Sequence, residues 1–390
     1  MAAKLSLFDI LNQAQQSGSD VAEIYKKAMR KKSDNLRVPV GVQLELLPVC
    51  NFNCKFCYVR MSNEEVKKSG HHIMRFNEWK RYIDECVKFG TNRLIFSGGE
   101  CTLHPDFIEL YEYAYNCGFE MGLITNGSCI TEEIFELFEK YPPSEIHITL
   151  YGMSSEVYER NCGNGAAFEK VIKNINRLKD RGFNLFLNYT VGKENICDLE
   201  AACEYAKEKK IFLKSTNTLF NMGKCDSETI EAELAGQKEF NNITHKYYSS
   251  LKNVSFDEFE ESYFTSFMIP LSGLPAKGLR CSAGRSGFDV NWLGEIRPCT
   301  SIDYKLDPKK IGFNECWEKI NEWVDNVPIL EECDDCIFQN KCMLCPALHY
   351  GDMGEFGKVS PRFCFKKLYP EEAAASLAKY EEMKANGEIE

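Results

Sequence analysis

Residues 41 to about 220 alternate short apolar runs with amphipathic stretches, and this alternation constrains the fold of the 390-residue chain more than any other feature. Gln43–Leu47, Arg93–Phe96, Met121–Ile124, Ile146–Leu150, Leu185–Val191 and Ile211–Lys214 have the length and aliphatic content of buried strands. Between them, Trp79, Tyr82, Ile83 and Cys86 share one helical face, as do Phe107, Leu110, Tyr111 and Ala114. Phe168, Val171, Ile172 and Ile175 form another such face, and further helices run from Thr131 to Phe138 and over Leu199–Lys209. Gly90, Gly118 and Gly182 close helices where the chain must turn back. The order strand, helix, strand predicts an α/β fold with parallel strands and right-handed crossovers. In a parallel barrel of this kind, chemistry gathers at the C-terminal ends of the strands.

Four polar or cysteine-bearing segments fall at those ends. They are Cys50-Asn-Phe-Asn-Cys54-Lys-Phe-Cys57-Tyr58, then Ser97-Gly98-Gly99-Glu100, then Thr125-Asn126, then Tyr151-Gly152. The first puts three thiols within eight residues, at gaps of three and two. Three thiolates suit an iron–sulfur cluster or another soft metal with one position left open. Zinc is the rival, but a structural zinc takes four ligands, and no fourth Cys or His follows closely. The chain has 19 cysteines and no basic segment with a long apolar core at its start, so a reducing, cytoplasmic setting is expected, with metal or redox chemistry rather than disulfides. Cys86, Cys117 and Cys203 lie on apolar helix faces and read as packing residues.

The triad Cys50-xxx-Cys54-xx-Cys57, flanked by Phe56 and Tyr58, resembles the signature of the radical S-adenosylmethionine (SAM) enzymes. The resemblance implies a [4Fe-4S] cluster on those three cysteines, whose fourth iron takes the amino and carboxylate groups of S-adenosylmethionine. Reductive cleavage then gives a 5'-deoxyadenosyl radical that removes a hydrogen atom from substrate. Ser97-Gly98-Gly99-Glu100 resembles the family's glycine-glycine-glutamate motif, with Glu100 as acceptor for the methionine ammonium and the glycines allowing close approach of a ligand. Cys101 follows where members commonly have proline. Thr125 and Asn126 resemble the ribose-side strand end, and Arg160 and Asn188 resemble residues of the methionine-carboxylate region and the next strand end. His104 reads as a helix-entry residue and His147 as a packed core residue.

Residues 281 to 364 carry a second cysteine pattern. Cys281 is followed after twelve residues by Gly294 and after four more by Cys299; then come Cys333-xx-Cys336, five residues, Cys342, two residues, Cys345, and finally Cys364. Paired Cys-xx-Cys also suits zinc. The pattern resembles the SPASM extension of radical SAM enzymes, which binds two auxiliary [4Fe-4S] clusters, though that family usually has three residues in the last gap. The resemblance implies a distal cluster on Cys333, Cys336, Cys342 and Cys364 and a proximal one on Cys281, Cys299 and Cys345. The proximal cluster lacks an obvious fourth ligand, with Cys316 and Cys101 as weak candidates.

The expected organisation is a helical lead-in over residues 1–40, a partial (β/α)6 TIM-like barrel over 41–225 and a helical connector over 226–276. A SPASM domain over 277–368 and a C-terminal helix over 369–390 complete it. A net charge of -11 disfavours an extended nucleic-acid footprint, and no apolar run approaches the ~18 residues of a membrane span. The resemblance implies modification of a ribosomally made peptide or protein side chain by crosslinking, epimerisation or oxidation. A flavodoxin or ferredoxin would donate electrons, and leader recognition would need a separate protein or another surface, since the lead-in is short for a leader-binding domain. Two alternatives stay open: an anaerobic sulfatase-maturating enzyme, and a non-catalytic zinc-stabilised interaction protein. The first uses an aspartate directly after the second SPASM cysteine, where this chain has Thr300, with Asp303 three residues further.

Overall fold

The computed structural model describes residues 32–219, 236–252, 281–328 and 345–386, with positions 29, 228, 230, 278, 279, 330–333 and 336–338. Cys342, most of the lead-in and the greater part of the connector lie outside the described residues.

Strand β1 (Gly41–Glu45) is followed by helices α1 (Asn63–Lys68) and α2 (Phe76–Lys88). The alternation continues through β2 (Arg93–Ser97), α3 (Phe107–Asn116), β3 (Glu120–Thr125), α4 (Glu132–Lys140) and β4 (Glu145–Thr149). Then come α5 (Ser155–Cys162), α6 (Phe168–Asp180), β5 (Leu185–Thr190), α7 (Leu199–Lys209), β6 (Phe212–Thr216) and α8 (Gln237–Lys252). The C-terminal part contributes β7 (Gly287–Val290), β8 (Ile296–Arg297), α9 (Pro308–Ile311), α10 (Phe313–Asn326), α11 (Pro346–Met353), α12 (Phe365–Leu368) and α13 (Pro370–Ala385).

The strands form one sheet in the order β6-β5-β4-β3-β2-β1-β7-β8. β1 to β6 are parallel and adjacent in chain order, which gives the expected partial (β/α)6 barrel. Residue burial alternates along these strands. Val42, Leu44, Leu94, Phe96, Ile146, Ile148 and Leu187 are fully buried under the helices, in one continuous core with Trp79, Ile83, Leu110, Phe138, Val171 and Ile175. The opposite face, with Gln43, Ile95, His147, Phe186 and Asn188, is only half covered and lines a polar lumen. His147 is therefore a lumen residue rather than a packed core residue, stacked on Phe186 and bonded to Glu145.

Two differences from the sequence reading shape the site; the other strand ends shift by one or two residues. β1 starts and ends two residues earlier than expected, because Leu46 and Leu47 leave the ladder to clamp the end of β2. The sheet also does not stop with the barrel. β7 pairs in parallel with β1, from Gly41 opposite Gly287 to Leu44 opposite Val290, and β8 returns antiparallel to it. The turn of this hairpin docks on α2, where the Tyr82 hydroxyl donates to the Gly294 carbonyl at 3.0 Å. A Cβ at Gly294 would lie 2.2 Å from that hydroxyl, and φ there is +86°, so only glycine fits.

Candidate active site at the barrel mouth

The cysteine loop is held to three strand ends by its own backbone. Leu46 N–H donates to Ser97 O, Gly99 N–H to Leu47 O at 2.7 Å, and Glu100 N–H to Val49 O at 3.0 Å. The glycines answer this contact rather than a ligand. A Cβ on Gly98 would lie 2.4 Å from the Leu47 carbonyl oxygen, and one on Gly99 2.4 Å from that of Val49. The close neighbour of both is the segment that leads into Cys50.

Glu100 is likewise turned inward. It is fully buried, and its Oε1 accepts from the Thr102 and Thr125 hydroxyls, both at 2.6 Å, while Oε2 accepts from Asn126 N–H at 2.7 Å. Burial pushes its carboxyl above the usual range, against the opposing effect of these donors. Glu100 thus ties β2 to β3 through the acceptors that the resemblance assigns to the methionine ammonium. Asn126 continues the tie to the cysteine loop: its Nδ2 donates to Asn51 Oδ1 at 2.9 Å, Asn51 Nδ2 to the Ser128 hydroxyl, and that hydroxyl to Asn126 Oδ1. This closed ring of three side chains was not anticipated from the sequence.

Beneath the loop, Phe52, Tyr151 and Tyr158 pack edge to face, with centroids 5.5 to 6.3 Å apart. Asn161 and Asn195 both donate to the Tyr151 carbonyl, which fixes the end of β4. Arg160, in the last turn of α5, is half exposed and pairs with Glu194 at 3.3 Å; Lys55, between Cys54 and Cys57, pairs with the same carboxylate at 3.2 Å. Arg160 therefore stands at the rim beside the cysteine loop. Asn188 lies lower in the lumen, opposite Thr149 and Lys214. His104 has both ring nitrogens engaged by backbone, Nε2 with Met74 O and Nδ1 with Asp106 N–H.

Burial pushes Cys50 up to about 12 and Cys54 well above the thiol range, and the neighbouring Cys57 acts in the same direction on both. Among the described residues, no three His, Cys, Asp or Glu side chains are closed around one point. The donor set nevertheless fits a cationic iron–sulfur group. Thiols in a dry pocket ionise when a metal offsets the burial. Phe52 N–H already points at Cys50 Sγ at 3.3 Å, with Asn126 Nδ2 at 3.6 Å, which is the outer hydrogen bonding that orients a metal thiolate. Cys101, fully buried behind Glu100, donates to Ile124 O.

A charged cluster joins this site to the C-terminal cysteines. Glu45 and Arg297 form a buried ion pair, with side chains 2% and 9% exposed. Tyr58, directly after Cys57, is half-buried, with its hydroxyl ionisation pushed up first by desolvation and then by Glu45. Asp289 on β7 faces Arg297, and burial pushes its carboxyl up to about 7. Cys281, Cys299 and Cys345 are brought within one electrostatic neighbourhood, and Cys299 is pushed up to about 12 by burial, then by Asp289. Cys333 and Cys364 share a small apolar cluster with Leu330 and Val359, and Cys336 N–H donates to Cys333 O. Cys316 lies elsewhere, inside the core on α10.

Comparison with known proteins supplies the context. The family profile described as Radical SAM superfamily matches residues 44–206. The AdoMet-dependent heme synthase of Methanosarcina barkeri is 24% identical over 83% of this chain and 95% of its own length. The antilisterial bacteriocin subtilosin biosynthesis protein AlbA of Bacillus subtilis is 23% identical over 87% of this chain and 75% of its own. In structure, Streptococcus suis SuiB bound to S-adenosylmethionine superposes with a TM-score of 0.64 at 14% identity, covering 87% of this chain and 81% of that one. SuiB bound to its precursor peptide SuiA gives 0.63. At such identity the likeness to SuiB is one of fold.

Proposed function

The chain carries a radical SAM domain and is an enzyme that uses a [4Fe-4S] cluster and S-adenosylmethionine, and from that premise we propose that it modifies a ribosomally made peptide or protein side chain. Cys50, Cys54 and Cys57 would hold the cluster. Thr125, Asn126, Asn188 and Arg160 stand at or below the rim where S-adenosylmethionine would lie, with Ser97, Gly98, Gly99 and Glu100 shaping the floor. When bound, the cluster and S-adenosylmethionine supply a 5'-deoxyadenosyl radical that removes a hydrogen atom from the substrate.

The observation that carries the reading is the pairing of β7 with β1. It makes the C-terminal cysteine region part of the barrel wall, so that Asp289 and Glu45 line the same lumen as the triad's strand end. A substrate side chain entering the lumen thus meets the triad from one side and Cys281, Cys299 and Cys345 from the other. AlbA is named for bacteriocin biosynthesis and SuiB is seen with its precursor peptide, and both support a peptide substrate. The sulfatase-maturating alternative has no support at the second C-terminal cysteine. Thr300 follows Cys299, and Asp303 is exposed and paired with Lys305 at 2.7 Å.

A tetrapyrrole substrate is the second reading, favoured by the haem synthase that is similar over nearly its whole length. We further propose a cytoplasmic enzyme served by a flavodoxin- or ferredoxin-type reductant. Among the described residues no helix is long and apolar enough to cross a membrane. The test is anaerobic turnover with S-adenosylmethionine and peptides encoded beside the gene, read by mass spectrometry and chiral amino-acid analysis. Loss of two hydrogens, or an inverted residue at unchanged mass, supports the peptide reading. Turnover of an iron tetrapyrrole with none of any peptide transfers support to the second.

A further inference from the structure

We propose that Ser128 is a positioning residue for the triad: it fixes which end of the Asn126 amide faces Cys50, and through that amide it raises the reduction potential of the cluster. The inference rests on the assignment of a cluster to Cys50, Cys54 and Cys57, and it gives the side chains behind those ligands a measurable effect.

The sense of the Asn51–Asn126–Ser128 ring is decided by one backbone group. Ser128 N–H donates to Asn126 Oδ1 at 2.9 Å, so the oxygen end of this amide is the end turned toward Ser128. The Ser128 hydroxyl donates to the same oxygen at 2.7 Å, which leaves its own oxygen to accept from Asn51 Nδ2 at 2.8 Å. Asn51 then presents its Oδ1 to Asn126 Nδ2 at 2.9 Å. Each side chain donates once and accepts once around the ring, an arrangement in which the bonds reinforce one another. The remaining hydrogen of Asn126 Nδ2 is left for Cys50 Sγ, 3.6 Å away.

One side of the ring is buried and the other is exposed. Asn126 and Ser128 are buried, and their backbone is pinned at three points. Asn126 N–H donates to Glu100 Oε2, Gly127 N–H donates to Thr125 Oγ1 at 3.0 Å, and the Gly127 carbonyl accepts from Asn174 Nδ2 at 2.8 Å. Asn51 is exposed on the cysteine loop beside Cys50, and the ring's two bonds hold its amide against competing water. Without the Ser128 hydroxyl, Asn51 Nδ2 loses its acceptor, and the Asn126 donor loses the partner that holds it toward the loop. An amide turned end for end would set a carbonyl oxygen against the Cys50 thiolate.

An added electron makes the thiolates of a cluster more negative. An N–H aimed at Sγ therefore stabilises the reduced form more than the oxidised form and raises the potential. The Phe52 N–H, 3.3 Å from the same sulfur, is set by the backbone of the loop. The Asn126 donor is the one under the control of side chains.

The test is an anaerobic redox titration of the reconstituted full-length chain without S-adenosylmethionine, followed by electron paramagnetic resonance. The triad's component is the one missing from a Cys50→Ala/Cys54→Ala/Cys57→Ala variant. Ser128→Ala should keep its iron and show that component at a more negative midpoint potential. Ser128→Thr, which restores the hydroxyl, should return it to the parental value. Asn51→Ala opens the ring from the exposed side and should shift the potential in the same direction. If Ser128→Ala fails to fold or to keep iron at the triad, Asn51→Ala carries the test. A lower denaturation midpoint at parental potential is what a purely structural ring would give, and it overturns the inference, as does a parental potential in both opened-ring variants. A triple-cysteine variant with the parental spectrum overturns the cluster assignment itself, and the inference with it.

Discussion

The triad at the barrel mouth and the cysteines of the C-terminal region carry similar ligand chemistry on different foundations. Around the triad, the protein itself fixes the ligands. The loop is bonded to the ends of β1, β2 and β3, tied by the Asn51–Asn126–Ser128 ring, and floored by Phe52, Tyr151 and Tyr158. In the C-terminal region, the β7–β8 hairpin and α10 share the main core through Val290, Ile296, Trp317 and Ile320, whereas Cys333 and Cys364 have a separate four-residue apolar cluster. The triad is a site made by a fold, whereas the segment around Cys333 and Cys364 is a fold that depends on its site, as in small metal-held domains.

The largest effect that separates the two is metal removal. Prepared without iron, the chain should keep a protected barrel together with the β7–β8 hairpin and α10, and become open to proteolysis around Cys333 and Cys364, since a structural metal site can supply on the order of ten kcal/mol of folding free energy. Hydrogen exchange resolves the regions, and equal loss of protection in both would remove the distinction. Next in size is the seam between them. Arg297→Ala leaves Glu45 buried and unpaired, which should cost roughly 3–5 kcal/mol, whereas replacing both residues by apolar ones should cost much less. Denaturant titration of the single and double variants measures this. Gly99→Ala drives a Cβ into the Val49 carbonyl and should cost roughly 1–3 kcal/mol, with reduced iron at the triad and none lost at the C-terminal cysteines. Smallest is Ser154→Ala, which removes the cap that accepts from Val157 N–H at the start of α5; about 1 kcal/mol is expected, seen as a lower unfolding midpoint with cluster content intact.

Strand and helix periodicity made the parallel barrel legible, because both faces of the alternation, 2 and 3.6 residues, are written locally in Leu44, Phe96, Leu110 and Ile175. The triad was legible by spacing. What local pattern does not carry is long-range pairing. Nothing near Gly287 announces that β7 lies beside Gly41, and nothing near Arg297 announces Glu45 as its partner. The glycine-glycine-glutamate segment stood out by motif, but its protein neighbours did not. Its contacts with Leu47, Val49, Thr125 and Asn126 depend on how three strand ends meet. Gly294 was noted only as part of a spacing, and the Tyr82 hydroxyl behind it explains the residue.

One measurement tests the central claim, that the triad holds a cluster with a position open to S-adenosylmethionine. The cluster-loaded chain and its Cys50→Ala/Cys54→Ala/Cys57→Ala variant are reduced anaerobically with S-adenosylmethionine, and 5'-deoxyadenosine is quantified. The parent should form it, and the triple variant should fall to the level of a no-enzyme control while keeping the iron of the C-terminal cysteines. Formation of 5'-deoxyadenosine by the triple variant, or none by an iron-replete parent, would contradict the claim.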